Sequence, residues 1–112
     1  QEEASTYIKR GYCLGFTGTI CKKERGEHLR KLIRSLPLEK LMVETDAPYM
    51  GFKTKRKDGT KRNSRCSEPA DCIDVAKQLS ESICRPFAEV CKTTTETAVE
   101  FFHLEEANLP AI

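Results

Sequence analysis

The chain has 112 residues, of which 32% are charged, with a mean hydropathy of −0.53 and a formal net charge of +2. That length fits one domain with a modest core, and no apolar run approaches the roughly 20 residues a membrane-spanning helix needs. The charge is uneven: Lys53 to Arg65 holds seven bases and one acid, a local +6, leaving 12 bases and 16 acids elsewhere, or −4.

No signal peptide is read at the start. The six cysteines, Cys13, Cys21, Cys66, Cys72, Cys84 and Cys91, make up about 5% of the chain, below the roughly 8–10% of disulfide scaffolds. They form no C-x-x-C pair and no Cys/His cluster, which argues against a structural zinc site. They are expected to be reduced thiols of an intracellular protein, with a secreted disulfide module as the weaker alternative.

In chain order, Gln1 to Arg10 reads as the end of a helix, with Ala4, Tyr7 and Ile8 as packing positions and Gly11 as its stop. Tyr12 to Phe16 follows as a strand of apolar and small residues. Its glycines, Gly15 and then Gly18, suggest tight packing or close approach of a ligand to the backbone. Phe16-Thr17-Gly18-Thr19 forms its carboxyl-end loop. From Glu24 to Ser35, Leu29, Leu32, Ile33 and Leu36 recur at helical spacing with charges opposite.

The run Leu41-Met42-Val43-Glu44-Thr45-Asp46-Ala47-Pro48-Tyr49 reads as a buried parallel strand that stops at about Asp46, because Pro48 lacks an N–H. Alternation places Met42, Glu44 and Asp46 on one face and Leu41, Val43 and Thr45 on the other. Strand, helix and strand make a βαβ unit. A long polar loop follows, residues 51 to 66, turning at Asp58-Gly59. A helix starting near Ser67 or Asp71 has Ile73, Val75, Ala76, Leu79 and Ile83 as its apolar side. The last runs from about Pro86 to Phe102, packing through Val90, Ala98, Phe101 and Phe102, with Thr93-Thr94-Thr95 weakening its middle.

An acid at the carboxyl end of a buried parallel strand sits where α/β folds place ligands and catalytic groups, so Asp46 is the leading candidate. Glu44, deeper in the strand, is expected to be a buried acid with a structural partner. Both also read as turn and capping acids. Two carboxylates suit a hard divalent cation or a general base, but two ligands do not complete a site.

These residues carry a resemblance. The run Gly11 to Thr19, Glu24-Arg25-Gly26, Leu29-Arg30 and Leu36 to Leu41 resembles the closing third of TatD-family metal-dependent deoxyribonucleases. Glu44 to Tyr49 is similar to that family's third signature, Arg65 to Ala70 to its Arg-Asn-Glu-Pro segment, and Thr93-Thr94 with Phe102 to its terminal helix. The chain departs from the pattern at Cys66-Ser67-Glu68-Pro69, at Thr97 where the terminal helix usually has Asn, and at His103 in place of Gly.

The resemblance implies an α/β fold: the C-terminal portion of a (β/α)8 TIM barrel of the amidohydrolase-like kind, two parallel strands plus helices, in a partial hydrolase domain over residues 1–112. It implies hydrolysis of DNA phosphodiesters with a divalent metal, Mg foremost, then Zn or Mn. Asp46 would be metal ligand and catalytic base. Arg65, Lys55, Arg56 and Lys57 would bind the DNA phosphate backbone, and Glu44, Glu68 and Thr17 would support the site. Glu68 is expected to orient Arg65 or cap a helix. The family's other ligands lie on strands this sequence does not contain, and neither His28 nor His103 is expected to replace them. The N-terminal two-thirds of the barrel is therefore expected to be missing, leaving a strand edge exposed and the chain inactive alone. The rival reading is a nucleic-acid-binding or adaptor fragment without turnover; no membrane partner is expected, and the location expected is the cytoplasm or nucleus.

Overall fold

The computed structural model describes residues 1–54, 59 and 66–104. Helix α1 (Glu2–Lys9) stops before Gly11, whose φ of +89° glycine adopts without steric cost. The Tyr12 N–H closes back on the Tyr7 carbonyl at 3.0 Å. Ala4 and Ile8 are half-buried, but Tyr7 is exposed and meets Tyr12 edge to face, so it is a surface aromatic and not the packing residue expected.

Strands β1 (Leu14–Phe16) and β2 (Leu41–Val43) pair in parallel, Leu14 opposite Leu41 and Phe16 opposite Val43. Both are shorter than the expected runs. One further bond, from the Glu44 N–H to the Phe16 carbonyl at 2.9 Å, extends the pairing before the chain turns away. The connection between them contains a 3-10 turn (Gly18–Cys21), which the periodicity did not signal, and helix α2 (Glu27–Ile33), shorter than Glu24 to Ser35. A second 3-10 turn (Leu38–Lys40) leads into β2.

The core lies on one face of this two-stranded sheet. Phe16 and Leu41 are buried there with Ile20, Ile33, Leu38 and Phe52, and with Val75, Leu79 and Val90 of the last two helices; Leu14 and Val43 pack against the same cluster. Leu41 and Val43 thus share one face, as the alternation predicts, and that face is the one packed on the core. On the opposite face Gly15 is exposed and Met42 half-buried.

Helix α3 (Cys72–Ile83) follows a 3-10 turn (Pro69–Asp71) and buries Val75, Ala76 and Leu79, whereas Ile73 points to solvent, 53% exposed, against expectation. Arg34 Nε donates to the Ser82 carbonyl at 3.0 Å, tying the end of α2 to α3.

Helix α4 (Phe87–Phe101) runs unbroken through its threonines, two of which return hydrogen bonds to the preceding turn. The Thr94 hydroxyl donates to the Val90 carbonyl at 2.8 Å, and Thr97 Oγ1 lies 2.9 Å from the Thr93 carbonyl and 3.0 Å from that of Glu39. The buried face is thus Val90, Thr94 and Thr97. Phe101 and Phe102 are exposed and stack edge to face on each other, so they are not packing residues of this core.

Candidate functional site

Asp46 sits on the loop leaving the carboxyl end of β2, exposed, with a φ of +56°. Aspartate tolerates this left-handed region better than most residues. Such a conformation costs about 1–3 kcal/mol and persists where the surroundings hold it. The Ala47 N–H bonds Thr45 Oγ1 at 3.2 Å, the Tyr49 N–H bonds the Asp46 carbonyl at 2.9 Å, and the Ala47–Pro48 peptide is cis.

Ser67 provides the outside support. It is buried; its N–H donates to the Pro48 carbonyl at 2.8 Å, and its hydroxyl lies against the carbonyls of Tyr49 and Thr45. Composition and periodicity marked Ser67 only as a cap for the following helix. Its buried role depends on the Asp46 loop folding back across it, which spacing does not show.

Two expectations about the acids are corrected. Glu44 is exposed, not buried, because it lies beyond β2 on the face away from the core. A Cβ built on Gly15 would come 3.0 Å from Glu44 Oε1, so the glycine leaves room for that carboxylate above β1. Strand alternation, moreover, ends before Asp46: β2 closes at Val43 and the left-handed turn interrupts the period that would have set Asp46 with Met42 and Glu44.

Thr17 opens the 3-10 turn after β1, its hydroxyl accepting the Thr19 N–H at 3.4 Å. Glu68 caps the turn before α3: its side chain accepts from the Asp71 backbone, and its own N–H donates to Asp71 Oδ2 at 2.7 Å. Capping is one of the two roles expected for Glu68. Lys55, Arg56, Lys57 and Arg65 lie outside the described residues. His28 and His103 are exposed, on α2 and just past α4.

Among the described residues no group of three or more His, Cys, Asp or Glu gathers where a metal ion could be held. A hard divalent cation takes about six or more oxygen ligands. Asp46 can contribute to such a shell, but these residues do not complete one. All six cysteines are unpaired. Burial, reinforced by Asp74, pushes the Cys21 thiol up to about 12, so it stays protonated at neutral pH.

Comparison with known proteins matches the family model "TatD related DNase" over residues 1–103. A 3'-5' ssDNA/RNA exonuclease TatD from Shigella flexneri is 38% identical over 80 residues, 71% of this chain and 30% of that protein. The exonuclease of the same name from Pectobacterium atrosepticum is 32% identical over 93% of this chain and 39% of its own length. The chain thus spans 30% and 39% of the length of these two relatives. The crystal structure of YJJV, a TatD homolog from Escherichia coli K12, superposes with a TM-score of 0.74 at 27% identity, covering 97% of this chain and 37% of that one. The two parallel strands and their helices are the corresponding part of a TIM barrel. The chain belongs to the TatD-related DNase family.

Proposed function

We propose that these residues form part of a hydrolase that cleaves phosphodiester bonds of single-stranded nucleic acid, DNA foremost. The observation that carries the reading is Asp46, held in a left-handed turn at the carboxyl end of β2 in a chain of this family. Relatives named as 3'-5' ssDNA/RNA exonucleases support the substrate class and leave RNA as a second substrate.

In the complete barrel Asp46 orients the attacking water or takes its proton, and contributes one oxygen ligand to a divalent cation, Mg before Zn or Mn. When bound, that cation lowers the pKa of water and neutralises charge on the phosphate. Arg65 and the Lys55, Arg56 and Lys57 run would draw in the DNA backbone through its phosphates; the support for this is their charge pattern alone. Glu68 supports the start of α3 through its capping contacts.

The test is Asp46→Asn in a polypeptide carrying the whole barrel. Asparagine keeps the shape and also tolerates positive φ, so the fold survives. Turnover on single-stranded DNA at saturating Mg should fall about 10²–10⁴-fold. Retention of more than about a tenth of wild-type turnover would remove Asp46 from this role.

A further inference from the structure

The carboxyl-end rim of the sheet carries a second feature, which Asp46 does not use. Cys21, Lys22 and Lys23 from the connection after β1, and Gly51, Phe52 and Lys53 from the loop after β2, line an open cleft of about 370 Å³.

Both walls are fixed by contacts within the chain. Arg30 Nη1 donates to the carbonyls of Ile20 at 2.9 Å and Lys22 at 2.6 Å, and Nη2 donates to that of Lys23 at 2.6 Å. One guanidinium therefore sets the backbone from which two of the lysines project. Opposite, Phe52 is buried against Gly18, where a Cβ would come 2.2 Å from its ring. Thr54, next to Lys53, donates to Asp74 Oδ2 at 2.9 Å. The Cys21 thiol remains neutral and faces the Asp74 carbonyl at 3.7 Å. Among the described residues, those lining the cleft carry three ammonium groups and no carboxylate, and the Asp74 carboxylate beside it is engaged by Thr54.

Phe52 is too buried to offer a ring face for stacking a base. What the cleft offers a ligand is positive charge on flexible stems, which suits phosphate oxygens and conveys no base identity. We infer that Lys22, Lys23 and Lys53 form a backbone-phosphate subsite for single-stranded nucleic acid, on the same rim as Asp46. This rests on the nucleic-acid reading above and adds to it a binding site formed entirely by described residues of this chain.

The probe is a fluorescein-labelled dT12 single strand, titrated against the 112-residue chain by anisotropy across a salt series. Each phosphate neutralised on a single strand contributes about −0.7 to the slope of log K against log salt. The Lys22→Gln/Lys23→Gln/Lys53→Gln variant should flatten that slope by about 2 and weaken binding at least about tenfold at low salt. A charge-matched control, Lys9→Gln/Lys31→Gln/Lys92→Gln, alters lysines on the helices and should leave the slope near wild type.

If both triple variants flatten the slope alike, the effect is net charge and the subsite is overturned. If wild type binds dT12 and the cleft variant is unchanged, the subsite alone fails. If wild type shows no salt-dependent binding, the subsite fails together with nucleic-acid binding by this chain. Displacement of dT12 by millimolar inorganic phosphate at constant ionic strength would show a free-anion site and overturn the assignment to a strand.

Discussion

The hydroxyl of Ser67 donates to the backbone carbonyl of Tyr49, fastening the loop that carries Asp46 to the residue that precedes the turn into α3. The two are 18 residues apart in sequence, and Ser67 is buried whereas the Tyr49 side chain is exposed. Ser67→Ala keeps the backbone bond to Pro48 and removes the hydroxyl. Stripping the partner from a carbonyl in such a place costs about 1–3 kcal/mol. Urea unfolding of Ser67→Ala should show a loss within that range at unchanged m-value, and an unaltered midpoint would mean the fastening contributes nothing.

Two glycines give opposite expectations. At Gly18 an added Cβ would meet the Phe52 ring at 2.2 Å and the Met50 carbonyl oxygen at 2.6 Å, and the backbone atom cannot swing away. Gly18→Ala should therefore destabilise by about 1–3 kcal/mol, as overpacking does. At Gly15 the nearest atoms belong to the movable end of Glu44. Gly15→Ala should change stability by less than about 0.5 kcal/mol, because the exposed Glu44 carboxylate can swing aside. Thermal unfolding of the pair decides, and equal losses would contradict the asymmetry.

The Cys21 thiol sets a pH dependence whose sign follows from its burial. Its folded pKa is raised from 9.0 to about 12. Between those values the folded state keeps a proton that the unfolded state releases, so stability falls as pH rises through that window. The stability associated with the protonated thiol is fully present below pH 9. Urea midpoints measured at pH 8 and pH 10 should drop more for wild type than for Cys21→Ala. In alkylation at pH 8, the exposed Cys66 and Cys84 should react before Cys21.

The 112 residues by themselves should not cleave DNA. Asp46 is a single candidate ligand, and among the described residues no metal-binding group of three forms around it. The measurement is release of nucleotides from single-stranded DNA by rigorously purified chain with added Mg or Mn. Chelator-sensitive cleavage that co-purifies with the chain would show that one carboxylate suffices or that other residues complete the site.

Much of the fold is legible because burial imposes periods. Leu41 and Val43 alternate inward as a strand facing one core must, and Val75, Ala76 and Leu79 follow the helical spacing of α3. The misses occur where tertiary contacts override the pattern. Thr94 and Thr97 join Val90 in the buried stripe of α4 by bonding backbone carbonyls, while Phe101, four residues on along the same face, and Phe102 are exposed at the helix end. Strand β2 stops short because Asp46 enters a left-handed turn, a conformation no propensity demands of aspartate. Asp46 itself was legible as an acid at a strand end. Ser67 and the Arg30 anchor were not, since each acts by reaching backbone carbonyls whose position depends on the finished fold.

The bond from Thr97 to the Glu39 carbonyl spans 58 residues and secures the turn that delivers β2. Its consequence lies in the order of synthesis. The ribosome releases Leu41 and Val43 well before the helix that covers them, so the strand pair must wait with its apolar side unshielded. In arrested nascent chains of increasing length, protease sensitivity around β2 should therefore persist until α4 has emerged through Thr97, and only then close.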